Sequence, residues 1–304
     1  MSSAKPNKEG VLQMTFLYQL INGIQIGSIY ALVALGYSMV YGIVKLINFA
    51  HGDIIMVGSY CAWFFIASIG LPVWLSVILA IILCSILGVT IEKVAYKPLR
   101  GSPRISLLIT AIGISMLLQN LAQLLFTASP RMFPNIVNIP GISFGEKQIG
   151  FTTIITIGVS VLLMVGLTIL VNKTKIGKAM RAVSEDNGAA QLMGINVSNT
   201  ISFTFAIGSA LAAVAAILYV CSYSQIEPTM GSLLGIKAFV AAVLGGIGSI
   251  PGAVIGGLAI GIAESLTKGY ISSQLADAVV FGILIIVLII KPTGILGIRS
   301  IEKV

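Results

Sequence analysis

The residues of this chain that could do chemistry are few and scattered. Four carboxylates, Asp53, Glu227, Glu264 and Asp277, border or interrupt apolar stretches, and the single histidine is His51. An acid in hydrocarbon is costly and marks a proton path, an ion pair or a substrate contact. All four nevertheless fall near the ends of apolar runs, where water is within reach. A lone histidine builds neither a zinc site nor a triad. His51, in Asn48-Phe49-Ala50-His51-Gly52-Asp53, therefore reads as a loop or cap hydrogen-bonding residue rather than a proton relay. Cys61, Cys84 and Cys221 each lie inside an apolar run, with no metal-ligand spacing and no disulfide framework. The sequence has no G-x-x-x-x-G-K-[ST], since its one Gly-Lys pair, Gly177-Lys178, is followed by Ala179. A phosphate-cradling loop is thus missing, as are H-E-x-x-H and a plausible Ser/His/Asp set. No catalytic residue and no metal ligand is expected, and the chain itself binds no cofactor.

The densest polar pattern is Lys173–Ile195, KTKIGKAMRAVSEDNGAAQLMGI. It opens with Lys173, Lys175, Lys178 and Arg181, turns to Glu185 and Asp186, and runs on through Ala189, Ala190 and Gly194. The composition favours one helix ending near the acidic pair and a second one starting there, with Asp186 or Asn187 as its N-cap. Ala189, Ala190 and Gly194 would give this second helix a small-sided face that lets another protein approach the backbone. Such an island in an otherwise apolar chain is a docking site for a partner.

What must position the island is a membrane body. Charged residues make up 9% of the 304 residues and the hydrophobic set 57%, with a mean hydropathy of +1.04. A soluble domain carries about a quarter charged residues, so lipid must cover most of this surface. Charge-free runs long enough for helical spans recur. They are continuous rather than alternating, which disfavours a β-barrel. They divide into about ten helices, at 11–30, 31–48, 53–70, 73–92, 105–126, 152–172, 201–222, 236–249, 252–267 and 277–291, with eight or nine plus a re-entrant segment within 236–267 as the alternative.

The excess of positive charge, +8, follows the short loops and not a nucleic-acid patch. Lys5 and Lys8, then Lys93, Lys97, Arg100 and Arg104, then the island, then Lys291, Arg299 and Lys303 are all assigned to the cytoplasm. Arg131, Lys147 and Lys268 remain outside, and Lys45 and Lys237 sit at span boundaries. This predicts an all-α polytopic membrane protein of eight to ten transmembrane helices with both termini cytoplasmic.

Small residues repeat at four-residue spacing in Gly248, Gly252 and Gly256, in Gly257 and Gly261, and in Gly23, Gly27 and Ala31. That spacing lays a smooth stripe on one helix face and brings backbones together. The run Gly245-Gly246-Ile247-Gly248-Ser249-Ile250-Pro251-Gly252 interrupts two short apolar segments. It is either a helix–loop–helix turn or a broken helix of the kind that lines a transport path.

Together these residues resemble a known family. Ala189-Ala190-x-x-x-Gly194 is similar to the E-A-A-x-x-x-G signature of ABC importer permeases, with Gly188 in place of the Glu. More specific are Asn48-Phe49-Ala50-His51-Gly52, Ala95-Tyr96-Lys97-Pro98-Leu99-Arg100, the stretch from Ala238 through Gly245-Gly246-Ile247-Gly248-Ser249-Ile250-Pro251-Gly252-Ala253, Gly261-Ile262-Ala263-Glu264, and Lys291-Pro292-Thr293-Gly294-Ile295-Leu296-Gly297. From about Phe16 onward the chain resembles the LivH-type permease of bacterial branched-chain amino acid ABC transporters.

The resemblance implies a multi-pass subunit of the bacterial inner membrane, with a permease domain at 11–292, a cytoplasmic coupling loop at about 173–200, and cytoplasmic tails at 1–10 and 293–304. It implies pairing with a LivM-like second permease, two cytoplasmic ATPase subunits that hold ATP and Mg, and an extracytoplasmic amino-acid-binding protein. Glu185, Asp186, Ala189, Ala190 and Gly194 would touch the ATPase. Asn48, His51, Gly245, Gly246, Gly248, Pro251, Gly252 and Glu264 would serve the pathway or helix packing. The same machine carrying urea, amides or other amino acids is the nearest rival. An ion-gradient-driven secondary transporter is a rival from another class. A channel is disfavoured, because no T-V-G-Y-G or acidic ring motif occurs.

Overall fold

Apolar sequence without breakers stays helical, and the first helix carries this further than its length suggested. α1 runs unbroken over Lys8–Val44, 37 residues and about 55 Å, where two shorter spans at 11–30 and 31–48 were expected. Neither a proline nor a polar loop interrupts it, and its glycines are used for packing. The computed structural model describes residues 8–45, 47–137, 139–144 and 147–297, without the side chains of 8–13, Arg104 and 142–147. Lys5, Arg299, Lys303 and most of both expected tails lie outside the described residues.

After a short irregular segment come α2 (His51–Trp63), extended by a π-helical turn over Phe64–Ser68, and α3 (Val73–Ile91), extended likewise over Glu92–Tyr96. α4 (Arg104–Phe126) and α5 (Phe151–Lys173) match the expected spans within a residue or two. Between them lie β1 (Arg131–Met132) and the hairpin of β2 (Ile142–Phe144) and β3 (Lys147–Ile149). Two short helices follow, α6 (Lys175–Glu185) and α7 (Asn187–Leu192), then the long α8 (Val197–Tyr223). β4 (Gln225–Ile226) pairs antiparallel with β1, and α9 (Met230–Gly245), α10 (Ile250–Tyr270) and α11 (Ala276–Ile290) complete the bundle. Six of these helices, α1, α3, α4, α5, α8 and α10, are long and apolar enough to cross a membrane, and α9 and α11 are shorter apolar helices.

α1 is the axis of the bundle. Its span is 89% buried, whereas that of α4 is 17% buried. It lies antiparallel against α10, glycine to glycine. A β-carbon added at Gly27 would come within 2.9 Å of the Gly257 carbonyl oxygen, and one at Gly23 within 2.7 Å of the Ile262 Cα. Two of the stripes read from the sequence, Gly23/Gly27/Ala31 and Gly257/Gly261, are thus one shared contact, whereas Gly252 and Gly256 of the third pack against Gly245 and Ala241 of α9. On other sides α1 meets α8, α9 and α5. Four alanines of α8, Ala212, Ala213, Ala215 and Ala216, are fully buried and keep the neighbouring helices close.

The two ends of the described chain lie at opposite ends of the bundle. Near its start, α1 bonds to the hairpin side: Thr153 Oγ1 donates to Gln25 Oε1 at 2.8 Å, and Gln25 Nε2 donates to Ser222 Oγ at 2.7 Å. At the other end of the chain, the Ile295 and Leu296 amides donate to the carbonyls of Leu244 and Gly245 at 2.8 and 2.9 Å, beside the α9–α10 turn. The described chain therefore begins on the hairpin face and ends on the α6–α7 face, whereas both termini were expected on one side. One helix stands between residues 11 and 44 where two were expected. The basic loops at Lys93–Arg104, Lys173–Arg181 and Lys291 still share the α6–α7 face.

Two measurements check this arrangement. Gly257→Leu should wedge α1 from α10 and lower stability by about 1–3 kcal/mol, seen as a lower unfolding temperature in detergent. Gly166→Leu, where an added β-carbon meets nothing within 4 Å, should leave that temperature unchanged. In a cysteine-free background, cysteines at Gln148 and Asn187 should label with an impermeant reagent from opposite sides of the membrane. Labelling from one side would refute the placement of the hairpin and α6–α7 faces on opposite sides.

Candidate functional site

The polar island folds as two capped helices held rigidly against the bundle. In α6, Gly177, Met180 and Val183 recur every third residue and are buried, while Lys175, Lys178 and Arg181 face out. Thr174 Oγ1 caps it by accepting from the Gly177 amide at 3.0 Å. Of the two cap candidates, Asp186 rather than Asn187 caps α7, accepting from the Gly188 and Ala189 amides at 2.7 and 3.0 Å. Gly194 ends α7 with φ +80°, and bonds from its amide to Gln191 O and from the Ile195 amide to Ala190 O, both 3.0 Å, close a Schellman turn.

The expected small-sided face is not formed as such. Ala190 is buried against the bundle, Ala189 points outward, and Gly194 lies beyond the helix. Glu185 is exposed at the end of α6. The outermost side chains are Leu192 and Met193, 91% and 83% exposed. The sequence reading passed over this pair, although two adjacent apolar residues at the end of a polar island were visible there.

A second cluster surrounds Glu264, which is buried in α10 and not interfacial as its place in the sequence suggested. Its Oε1 accepts from Lys237 Nζ at 2.9 Å and Lys268 Nζ at 2.7 Å, and its Oε2 accepts from Tyr30 Oη at 2.7 Å. Lys237 also reaches Asp277 Oδ1 at 2.6 Å. Lys237 was expected at a span boundary. It lies within α9, inside the protein, because its charge is matched from α10 and α11. Glu264 and Lys268 border a cavity of about 360 Å³ on the hairpin face, together with Asn22, Gln25, Thr153 and Ser222.

Gly245, Gly246, Gly248, Pro251 and Gly252 form the α9–α10 turn and its tight packing. Gly246 and Gly248 take φ +107° and +93°, Pro251 starts α10, and Ser249 caps it through the Gly252 amide at 3.2 Å. This segment is a helix–loop–helix turn at the bundle's end. The broken backbone at membrane depth lies elsewhere. After α1 the chain dips back inward, and α2 starts at His51 between Gly36 and Gly208. Gly36 is eight residues, about 12 Å, before the end of α1. Asn48 Oδ1 accepts from Tyr96 Oη at 2.8 Å and pins the dip. His51 is buried with its ring edge-on to Tyr37 at 4.8 Å and bonded to the Val33 backbone, a packing role.

Beside His51 lies Asp53, which the sequence reading had placed near water but which is 1% exposed. Gln119 Nε2 of α4 lies 2.9 Å from Asp53 Oδ1, 3.1 Å from Ser115 Oγ and 2.7 Å from Ser232 Oγ of α9, three acceptors that share its two protons. Helical spacing alone could not bring Asp53, Gln119 and Ser232 together, since they come from three distant segments.

The charge cluster sets a test of its own. Lys237→Met strips Glu264 of one cation and Asp277 of its partner, and should cost about 3–5 kcal/mol, read as a fall in unfolding temperature. Adding Glu264→Gln should restore part of the loss by removing the buried anion. An unshifted Lys237→Met protein would show that the network holds nothing.

Comparison with known proteins agrees with this architecture. The chain is 46% identical over 303 residues to the high-affinity branched-chain amino acid transport system permease protein BraD of Pseudomonas aeruginosa, covering 95% of this chain and 98% of that one. It is 46% identical over 302 residues to LivH of Escherichia coli, a permease protein of the same description, with the same coverage. Among solved structures, PsaBC from Streptococcus pneumoniae in complex with Fab aligns with a TM-score of 0.51 at 18% identity, over 94% of this chain and 95% of that one, a likeness of fold. With residues 19–288 matching the family described as the permease component of the branched-chain amino acid transport system, this multi-pass membrane chain belongs to that family.

Proposed function

We propose that this chain carries branched-chain amino acids across the bacterial inner membrane as one permease of an ABC importer, powered by separate ATPase subunits. The observation that supports this most is the tip of α7. Leu192 and Met193 stand almost free of the subunit on a helix capped at both ends. Two exposed apolar side chains on a rigid polar element suit a pocket on a partner. The α6–α7 face, where the basic loops gather, is the cytoplasmic one.

In this reading two ATPases grip the α7 tips of this chain and of a second, homologous permease. ATP and Mg lie on the ATPases. A binding protein delivers cargo to the hairpin face. Motion of α7 passes to α6 through their packed junction, and from α6 to α5, α8 and α1, all of which it touches. Since α8 packs on α1, α2 and α3, a tilt at α7 moves the centre of the bundle and alternates access. Glu185, Ala189 and Gly194 border the grip. Asp186 and Ala190 act indirectly, one as the cap and the other as the buried foot of α7.

The test is reconstitution in vesicles with the partner subunits, following ATP-driven uptake of labelled leucine against urea. Leu192→Asp with Met193→Asp should reduce leucine uptake at least about tenfold, a loss of about 1.4 kcal/mol in coupling, without lowering the unfolding temperature. Undiminished uptake together with undiminished ATPase capture would sink the assignment. Gradient-fed accumulation by the chain alone would favour a secondary transporter.

A further inference from the structure

Three acids are buried among the described residues, and two of them have cations. Glu92 pairs with Arg100, and Glu264 with Lys237 and Lys268. Asp53 has no ion-pair partner among the described residues; its neighbours are the neutral Gln119 and Ser115. Its position makes this more than a packing detail. Asp53 lies in the first turn of α2, which starts inside the bundle, and Gln119 is seven residues, about 10 Å, from the far end of α4. The carboxylate is therefore at mid-depth, where a charge without a counter-ion is rare and marks a path.

Gln119 closes this spot. Its amide has two protons and three acceptors within reach, Asp53, Ser115 and Ser232. The bond to Ser232 is the one described side-chain hydrogen bond between α4 and α9. α4 is the least embedded of the six long helices, and Met116 of α4 with Leu233 and Ile236 of α9 are exposed around the half-buried glutamine and serine. The seam between α4 and α9 thus has apolar rims, a polar latch and a carboxyl group without a cation partner behind it.

We infer that the α4–α9 seam is the part of the transport path this chain contributes at mid-membrane, and that Asp53 receives the ammonium group of the passing amino acid. The inference rests on the amino-acid cargo proposed above and adds the group that recognises it. When Gln119 releases Asp53 and Ser232, the seam opens and the carboxylate faces the path. The cargo brings the missing cation, and its branched side chain lies against Met116, Leu233 and Ile236. A zwitterion is carried at no net charge, so the subunit needs only this one ionic contact for the ammonium end.

The test uses the full complex in vesicles, with Cys61, Cys84 and Cys221 replaced by alanine and Ser232→Cys as reporter. Cationic and anionic methanethiosulfonates of matched size probe the new thiol. The cationic reagent should react at least about fivefold faster, because the carboxylate concentrates cations in the seam. Asp53→Asn should bring the ratio close to one, and leucine should slow the labelling. Separately, with Ser232 intact, Asp53→Asn should lower leucine uptake about tenfold or more and Asp53→Glu should keep a measurable part of it. A thiol inert to both reagents with and without ATP, a ratio indifferent to Asp53→Asn, or full uptake by that variant would overturn the inference while leaving the cargo reading in place. Absence of leucine uptake by the unaltered complex would instead overturn the cargo reading and, with it, the role given to Asp53.

Discussion

Lipid provides no hydrophobic drive between helices, so this bundle depends on how closely α1 can approach α10. Gly23, Gly27 and Ala31 on one helix meet Gly257, Gly261 and Ile262 on the other, with backbone against backbone. Close van der Waals contact of this sort is what holds transmembrane helices together. It makes α1 a buried mast, and the other helices take their positions from it. The same contact explains why α1 remains a single helix. A break near residue 30 would interrupt the stripe where it meets Gly257.

Charge is placed within this frame with three different outcomes. Glu264 joins α1, α9, α10 and α11 through Tyr30, Lys237, Lys268 and Asp277, and so ties the later helices to the mast. Glu92 ties the end of α3 to Arg100 and to Ser202 of α8. Asp53 ties only neutral groups. Two of the buried acids thus stabilise an arrangement of helices, and the third has no cation beside it among the described residues.

The route from the α7 tip to that acid is short in structural terms. α7 stands on Ala190, α6 packs on α5, α8 and α1, and α8 runs the depth of the bundle beside α2. Each joint is a packed one, so force at Leu192 and Met193 can move helices and is not lost in loops. The Schellman turn at Gly194 and the cap at Asp186 give the tip its stiffness.

Several features were legible in the residues alone. The spans of α4, α5 and α8, the cap at Asp186 and the small-residue stripes follow from local rules of hydropathy, capping and spacing, which act over a few residues. The family too was legible, because its motifs are contiguous. Pairing of Lys237 with Glu264, the burial of Asp53 against Gln119 and Ser232, the outward aim of Leu192 and Met193, and the single long first helix were not. Each depends on segments tens to hundreds of residues apart, and an apolar run says that a helix forms without saying what it faces. The sequence by itself determined that this chain is a bundle of membrane helices with one polar helical element between them. Only the tertiary structure decided which charges are matched and that the described chain begins and ends on opposite faces, because burial and relative placement are properties of the assembled helices and not of any one of them.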